Sequence, residues 1–472
     1  MTLIPDSMHA PEQAQQPDTQ RAGWLARFWQ KSAVWHWPLL LLLIVVVVIE
    51  AAWVVNLAAT DAARYQCYGL TFWLGSSGRT LLPATQCSFM NQYPAGVPFH
   101  MLPPEYPPLT ILLFSLPLLA PLPYYTLVFA LLMTVVAGLI CWLLVRVGAR
   151  QAAPIFLLYL LLGTATLFQV RFDLLPAGCT LLCVIAAERG RWKTAYIALA
   201  LGVLFKLYPI VMLPALFLAE QHAWLASQDY TFPQRRWLAQ LWAQIRLWRW
   251  RNALLCVGLV VGIMGAFALL NFNQAIASPL QYFVQRPVQI ESLESSIIWL
   301  GSLFGVAYTP VFTYGSFNVL SQLGGIISPT GTLLLLAGVI ALLWLQWRCS
   351  IDFAQTMVGL VCVIMTTGKV FSPQYLIWLT PMLVYLYASG KTNRLWMYGW
   401  AAISVLTTVV YIYYSQIGTD PNAAPTILAA LPGFFEVVTV RNLFLLVATL
   451  AFICGWWGVR QPKDTDGLSR MN

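Results

Sequence analysis

Charge is scarce in this chain: 26 Lys and Arg, 17 Asp and Glu, and 4 His stand among 472 residues. With 9% charged residues, 59% hydrophobic residues and a mean hydropathy of +0.71, no soluble core wrapped in a polar surface can be assembled from it. Several chemical signatures are missing too. There is no phosphate-cradling GxxxxGKS/T loop, no GxGxxG after a strand, no HExxH and no CxxC, which argues against a nucleotide-powered machine and makes a tightly bound divalent metal doubtful. The formal charge of +9 does not point to nucleic acid, because the basic residues fall in short clusters between apolar runs, such as Arg21 to Lys31, Arg146 with Arg150, Arg189 to Lys193 and Arg235 to Arg251. That pattern is the positive-inside signal of a polytopic membrane protein.

What the chain does have is a succession of apolar runs of helix length. The expected fold is an all-α, multi-pass integral membrane protein, on the order of 11 to 13 spans. Residues 1–36 read as a cytoplasmic tail, 37–459 as one transmembrane domain with an outer loop over 58–107, and 460–472 as a second cytoplasmic tail. The first span, about Trp37 to Leu57, is long enough to serve as a signal anchor, which places the N-terminus in the cytoplasm of a cell (plasma) membrane protein. Residues 58–107 are too polar for lipid and too rich in Trp, Tyr, Gly and Pro for disorder, so they are expected to pack on the outer face. Pro108 to Ala120 is apolar but short, and the sequence leaves open whether it crosses or dips. A second outer region is expected between Asn271 and about Ser328, and "RRWLAQLWAQIRLWRWR" from Arg235 as a helix on the inner membrane surface. Cys67 and Cys87 share the first outer loop; their spacing leaves open whether they pair.

The charged residues can be placed one by one. Arg171, Lys206 and Lys369 each cap an apolar segment on the outer side, where the orientation rule makes basic residues scarce. Lys206 in "FKLYPIVMLP" poses the question most sharply, since an unpaired charge at bilayer depth costs about 3 kcal/mol even on lenient scales. Two explanations stand: snorkelling or a salt bridge to Asp173 or a nearby glutamate, or a basic pocket for a phosphate at the outer interface. Asp61 follows the first span closely, with Tyr65 and Tyr68 at helical spacing. It could take a proton from an acceptor hydroxyl, or simply serve as the N-cap that "TDAARY" suggests.

Five blocks in order, "EYPPLTILLFSLPLL" from Glu105, "RFDLLPAGCTLLCVIAAERGRW" from Arg171, "GVLFKLYPIVMLP" from Gly202, "RPVQIESLESS" from Arg286 and "KVFSPQYLIWLTP" from Lys369, resemble glycosyltransferase family 87, polyprenyl-phosphate-mannose-dependent enzymes of the GT-C fold. The resemblance implies transfer of a hexose, mannose by family, from a polyprenyl-phosphate donor to a lipid or glycan acceptor on the outer face, with inversion. It implies Asp61 as general base, with Glu105 orienting the acceptor or Arg64. It assigns Arg171, Lys206, Arg286 and Lys369 to the donor phosphate. Tyr65, Asp173, Tyr208, Gln289, Glu291 and Gln374 become sugar or acceptor contacts, and no cofactor is implied. The competing expectation is a secondary transporter or lipid-linked sugar flippase, which would place its binding groups near mid-membrane and in related repeats; no repeat is visible.

Overall fold

The computed structural model describes residues 60–90, 96–147, 152–165, 167–227, 248–417 and 423–455, together with Val45, Val46 and Ile49. Apart from those three positions, everything below lies in the unit from Glu50 to Asn472. Most of the expected first span, most of the inner-surface helix from Arg235 and the proposed tails lie outside the described residues.

The outer loop is structured, as its composition predicts. Helix α1 (Asp61–Leu74) starts from Thr60, whose hydroxyl accepts from the Ala63 amide at 3.2 Å. Thr60 is therefore the N-cap, and Asp61 occupies the first turn, where a carboxylate complements the helix dipole. Cys67 and Cys87 form a disulfide across a separation of 20 residues. Closing a loop of that length restricts the unfolded chain by about 3 kcal/mol. Replacing both cysteines with serine is expected to lower stability by about that amount and to abolish the mobility difference between reduced and non-reduced protein; an unchanged unfolding midpoint would refute it.

Pro108 to Ala120 does not cross. It yields only the six-residue α2 (Thr110–Ser115) and a 3₁₀ turn over Leu116–Leu119, a rise of roughly 15 Å against a hydrocarbon thickness of about 30 Å. Tyr125, at the start of α3 (Tyr125–Arg146), donates to the Phe114 carbonyl at 2.8 Å, so the chain enters α3 from the end at which α2 dipped.

Then follow α4 (Ala152–Thr164), α5 (Leu174–Glu188), α6 (Trp192–Phe205), a 3₁₀ turn leading into α7 (Leu213–Ala226), and α8 (Arg251–Leu270). The second outer region holds α9 (Ser278–Gln285), β1 (Val288–Gln289), α10 (Leu293–Ser302), β2 (Tyr308–Thr313) and β3 (Ser316–Ser321). After it come α11 (Gly324–Trp347), α12 (Phe353–Thr367), α13 (Tyr375–Ala388), α14 (Arg394–Tyr414), α15 (Ala424–Ala430) and α16 (Phe434–Ile453). Among the described residues, five helical stretches are long and apolar enough to span a membrane: Leu122–Arg146, α8, α11, α14 and α16. Helices α5, α12 and α13 have only 14 or 15 residues, but most of their side chains are buried. They are enclosed by other helices rather than lipid, which frees them from matching the full hydrocarbon thickness.

Two polar clusters fix how the central helices run. At one end of α5, Asp173 bonds Trp378 near the start of α13; at the other, Glu188 bonds Tyr385 and Lys391 near the end of α13. The two helices are therefore parallel, and the 15 residues of α5 separate the clusters by roughly 22 Å. Lys391 also pairs with Asp352 at 2.8 Å, the N-cap of α12, so α12 runs the opposite way and delivers Lys369 to the Asp173 end.

The small antiparallel sheet, order β1-β3-β2, was not expected from an all-α reading. Its turn, Tyr314–Gly315, has φ of 54° and 68°, the positive values that tight hairpins require. Val288, Ile290 and Val319 pack with Val410 and Phe434, seating the sheet on α14 and α16. The last span also begins earlier than its hydropathy suggests: α16 starts at Phe434, so Glu436 lies in its first turn and Arg441 sits about two turns inside.

Candidate active site

At the Asp173 end, side chains from well-separated elements form a continuous charged array. Arg171 Nη2 lies 2.6 Å from Asp61 Oδ2, and Arg64, one turn along α1, lies 3.7 Å from Asp61 Oδ1. Arg64 Nη2 also meets Glu105 Oε1 at 2.9 Å, while the Tyr68 hydroxyl donates to Glu105 Oε2 at 2.9 Å. The i, i+3 and i, i+4 spacing of one helix face puts Asp61, Arg64 and Tyr68 together. Asp61 and Arg171 are 16% and 19% exposed, so the pair is sheltered without being sealed off.

Asp173 answers the question that Lys206 raised. The ammonium lies 2.5 Å from Asp173 Oδ1, and the Trp378 indole donates to the same oxygen at 2.5 Å. Burial pulls the Lys206 ammonium below its ordinary pKa, and the Asp173 carboxylate acts in the opposite direction. Phe172, Tyr375 and Trp378 face the ammonium at 5.3, 5.9 and 4.8 Å, a cation–π enclosure. Trp378 itself lies between Tyr208 and Tyr375, with stacked ring centroids 4.2 and 3.8 Å away.

Arg286 and Lys369 occupy an adjoining part of the array. Arg286 donates to the Ser316 hydroxyl at 2.7 Å and lies 5.4 Å over the Tyr282 ring. Lys369 donates to the Val284 carbonyl at 2.9 Å, and its own carbonyl accepts from the Gln289 amide at 2.9 Å. Burial, reinforced by Arg286, pulls the Lys369 ammonium below its usual pKa, while Glu294 acts the other way. The β2–β3 turn closes over the first cluster: a Cβ at Gly315 would come within 3.1 Å of both terminal nitrogens of Arg64. Tyr282 and Tyr375 lie within electrostatic reach of Arg171 and Arg286 alike, which joins the two parts.

The structure thus brings together Asp61, Glu105, Arg171, Asp173 and Lys206, with Arg286, Gln289 and Lys369 alongside. Of the remaining sequence candidates, Tyr65 lies within electrostatic reach of Asp61, Arg171 and Asp173, and Tyr208 within reach of Asp173, while Gln374 and Glu291 have partners of their own. Tyr65 is buried and stacked 4.1 Å from Phe114, and Tyr208 is buried beneath Trp378. Gln374 accepts from the Ser372 hydroxyl. Glu291 is engaged on both oxygens, by Arg441 at 2.9 Å and the Tyr414 hydroxyl at 2.8 Å. Arg441 and Asn442 also donate to its backbone carbonyl, at 2.6 and 3.1 Å.

Sequence reasoning placed Tyr68 at helical spacing from Asp61 without giving it a role, and missed Ser316, Tyr375, Trp378 and the Arg441–Glu291 pair. Trp378 stands inside the block from Lys369, where an aromatic beside a proline break was the available signal. Several buried polar atoms here have no partner, among them Arg171 Nε, Asp173 Oδ2, Arg286 Nε and Gln289 Oε1. Leaving such atoms unmatched is costly, and a polar ligand offsets that cost.

No family model matches the chain, and no curated protein matches it in sequence. The family resemblance therefore rests on the five sequence blocks. Among solved structures the chain is similar to ArnT from Cupriavidus metallidurans bound to undecaprenyl phosphate, with 15% identity and a TM-score of 0.41, covering 89% of this chain and 77% of that one. It is likewise similar to ArnT from Cupriavidus metallidurans in the apo state, with 15% identity and a TM-score of 0.38, covering 89% of this chain and 76% of that one.

Proposed function

We propose that this protein is a membrane glycosyltransferase of the GT-C type. It transfers a hexose, mannose by the sequence resemblance, from a polyprenyl-phosphate donor to a lipid or glycan acceptor. On this reading the reaction takes place on the outer face of the plasma membrane, with the N-terminus in the cytoplasm and inversion at the anomeric carbon. The observation that carries the reading is the joining of Asp61 and Glu105 to a set of cations at one end of the helical bundle, 2.6 Å separating Asp61 from Arg171.

The chemistry follows from that arrangement. A prenyl phosphate keeps its tail in the bilayer and its headgroup at the interface, the depth at which Arg171, Lys206, Arg286 and Lys369 cap their segments. The acceptor hydroxyl attacks the anomeric carbon from the face opposite the phosphate, and its proton passes to Asp61. The bond from that carbon to the phosphate oxygen breaks, and the departing phosphate takes up the electron pair. Cations positioned at the phosphate stabilise that charge, each worth about 3 kcal/mol in the transition state. Glu105 holds Arg64, and Arg64 and Arg171 set the orientation of Asp61. The reading uses no metal, because guanidinium and ammonium groups neutralise the leaving group.

Incubating the purified protein in proteoliposomes with radiolabelled polyprenyl-phosphate mannose, or another hexose, and lipid or glycan acceptors tests this. The expected result is labelled product with the opposite anomeric configuration, identified by exoglycosidase digestion. Movement of intact donor between leaflets without transfer would reject the enzyme in favour of a flippase.

A further inference from the structure

The four cations assigned to the donor phosphate differ in their charge partners. Arg171 is bound to Asp61 at 2.6 Å and Lys206 to Asp173 at 2.5 Å. The charge of each is already balanced by its carboxylate, so an incoming anion that drew either away would leave that carboxylate poorly compensated in a sheltered site. Arg286 and Lys369 have no carboxylate partner among the described residues. Arg286 donates to a neutral hydroxyl, and its Nε has no partner; Lys369 donates to a backbone carbonyl. The acid acting most strongly on Lys369, Glu294, is bonded to the Ser328 hydroxyl at 2.7 Å.

The backbone holds these two cations side by side. Lys369 reaches Val284 through its ammonium and Gln289 through its carbonyl, which brackets Arg286 from both directions. Their mutual repulsion in a half-buried position is unfavourable until an anion completes the group. Arg offers a planar fork for two oxygens and Lys a point charge, the usual combination for phosphate.

Building on the glycosyl-transfer reading, we propose that Arg286 and Lys369 form the phosphate seat, while Arg171 and Lys206 stay bound to Asp61 and Asp173 and act on the reacting side of the site. The ligand class is a phosphate ester or free phosphate, and the lipid-borne and free forms share this chemistry.

The test uses the full chain in phosphatidylcholine nanodiscs, with polyprenyl monophosphate as probe. Arg286→Gln and Lys369→Gln are each expected to weaken binding at least about tenfold. Arg171→Gln and Lys206→Gln are expected to keep it within about threefold while losing sugar transfer. Lys369→Arg, which keeps the charge, should restore binding, and unchanged unfolding midpoints exclude misfolding. Displacement of the probe by inorganic phosphate supports a seat that also takes free phosphate, and no displacement supports one selective for the lipid-borne headgroup. Equal displacement by phosphatidylglycerol vesicles would overturn the seat, as would binding that depends on Arg171 and Lys206 instead. If the expected binding pattern holds but no donor sugar is transferred, the seat stands and the transferase reading falls; if sugar is transferred but binding ignores Arg286 and Lys369, the reverse is true.

Discussion

Arg441→Met is expected to destabilise the protein by about 3–5 kcal/mol, the cost of leaving one member of a buried ion pair without its partner. Arg441 and Glu291 are 0% and 2% exposed. Truncating the arginine leaves the Glu291 carboxylate with the Tyr414 hydroxyl, and its carbonyl with Asn442 alone. The pair joins the middle of α16 to the segment after β1, next to Gln289, so the loss should also loosen the turn that carries Arg286. Unfolding of detergent-solubilised protein, followed by tryptophan fluorescence, measures it. Glu291→Leu combined with Arg441→Met should be more stable than Arg441→Met alone, because removing both charges avoids the orphaned carboxylate. A loss below about 1 kcal/mol for the single variant would show the pair to be effectively solvated.

Asp61→Asn is expected to reduce kcat for sugar transfer by about 10²–10⁴-fold, the range that a positioned general base contributes. The amide nearly preserves shape but cannot take the acceptor proton. It also weakens the contact with Arg171, so the readout must separate chemistry from structure. A fall in kcat with the donor KM little changed and the melting temperature retained marks a group acting on the reacting atoms. A lower melting temperature with kcat unchanged would assign Asp61 to folding alone. Asp61→Glu, which keeps the carboxylate but moves it by one methylene, should recover part of the rate.

The span boundaries were largely legible. The apolar run Phe353–Thr367 coincides with α12, and the apolar runs that start at Thr126, Leu174, Asn252, Leu376 and Leu395 each begin within one residue of a helix. Hydropathy is a local property, and lipid demands that each crossing segment satisfy its own backbone. The exceptions have local causes as well. Pro117, Pro121 and Pro123 break the run from Pro108 into turns too short to cross. The sheet was hidden because strands of two and six residues give little periodic signal inside a polar loop. Arg441 disguised the true start of α16, since a charge inside an apolar run looks like a boundary until its partner is known.

The sequence by itself determined that the chain is a multi-pass membrane protein and which residues stand at segment ends, because hydrophobicity and charge scarcity act on each stretch of chain separately. Only the tertiary structure decided which acid meets which cation: Asp61 with Arg171, Asp173 with Lys206, Glu291 with Arg441 across 150 residues, and no carboxylate for Arg286 or Lys369 among the described residues. Ion pairing falls off with distance in space and is indifferent to distance along the chain.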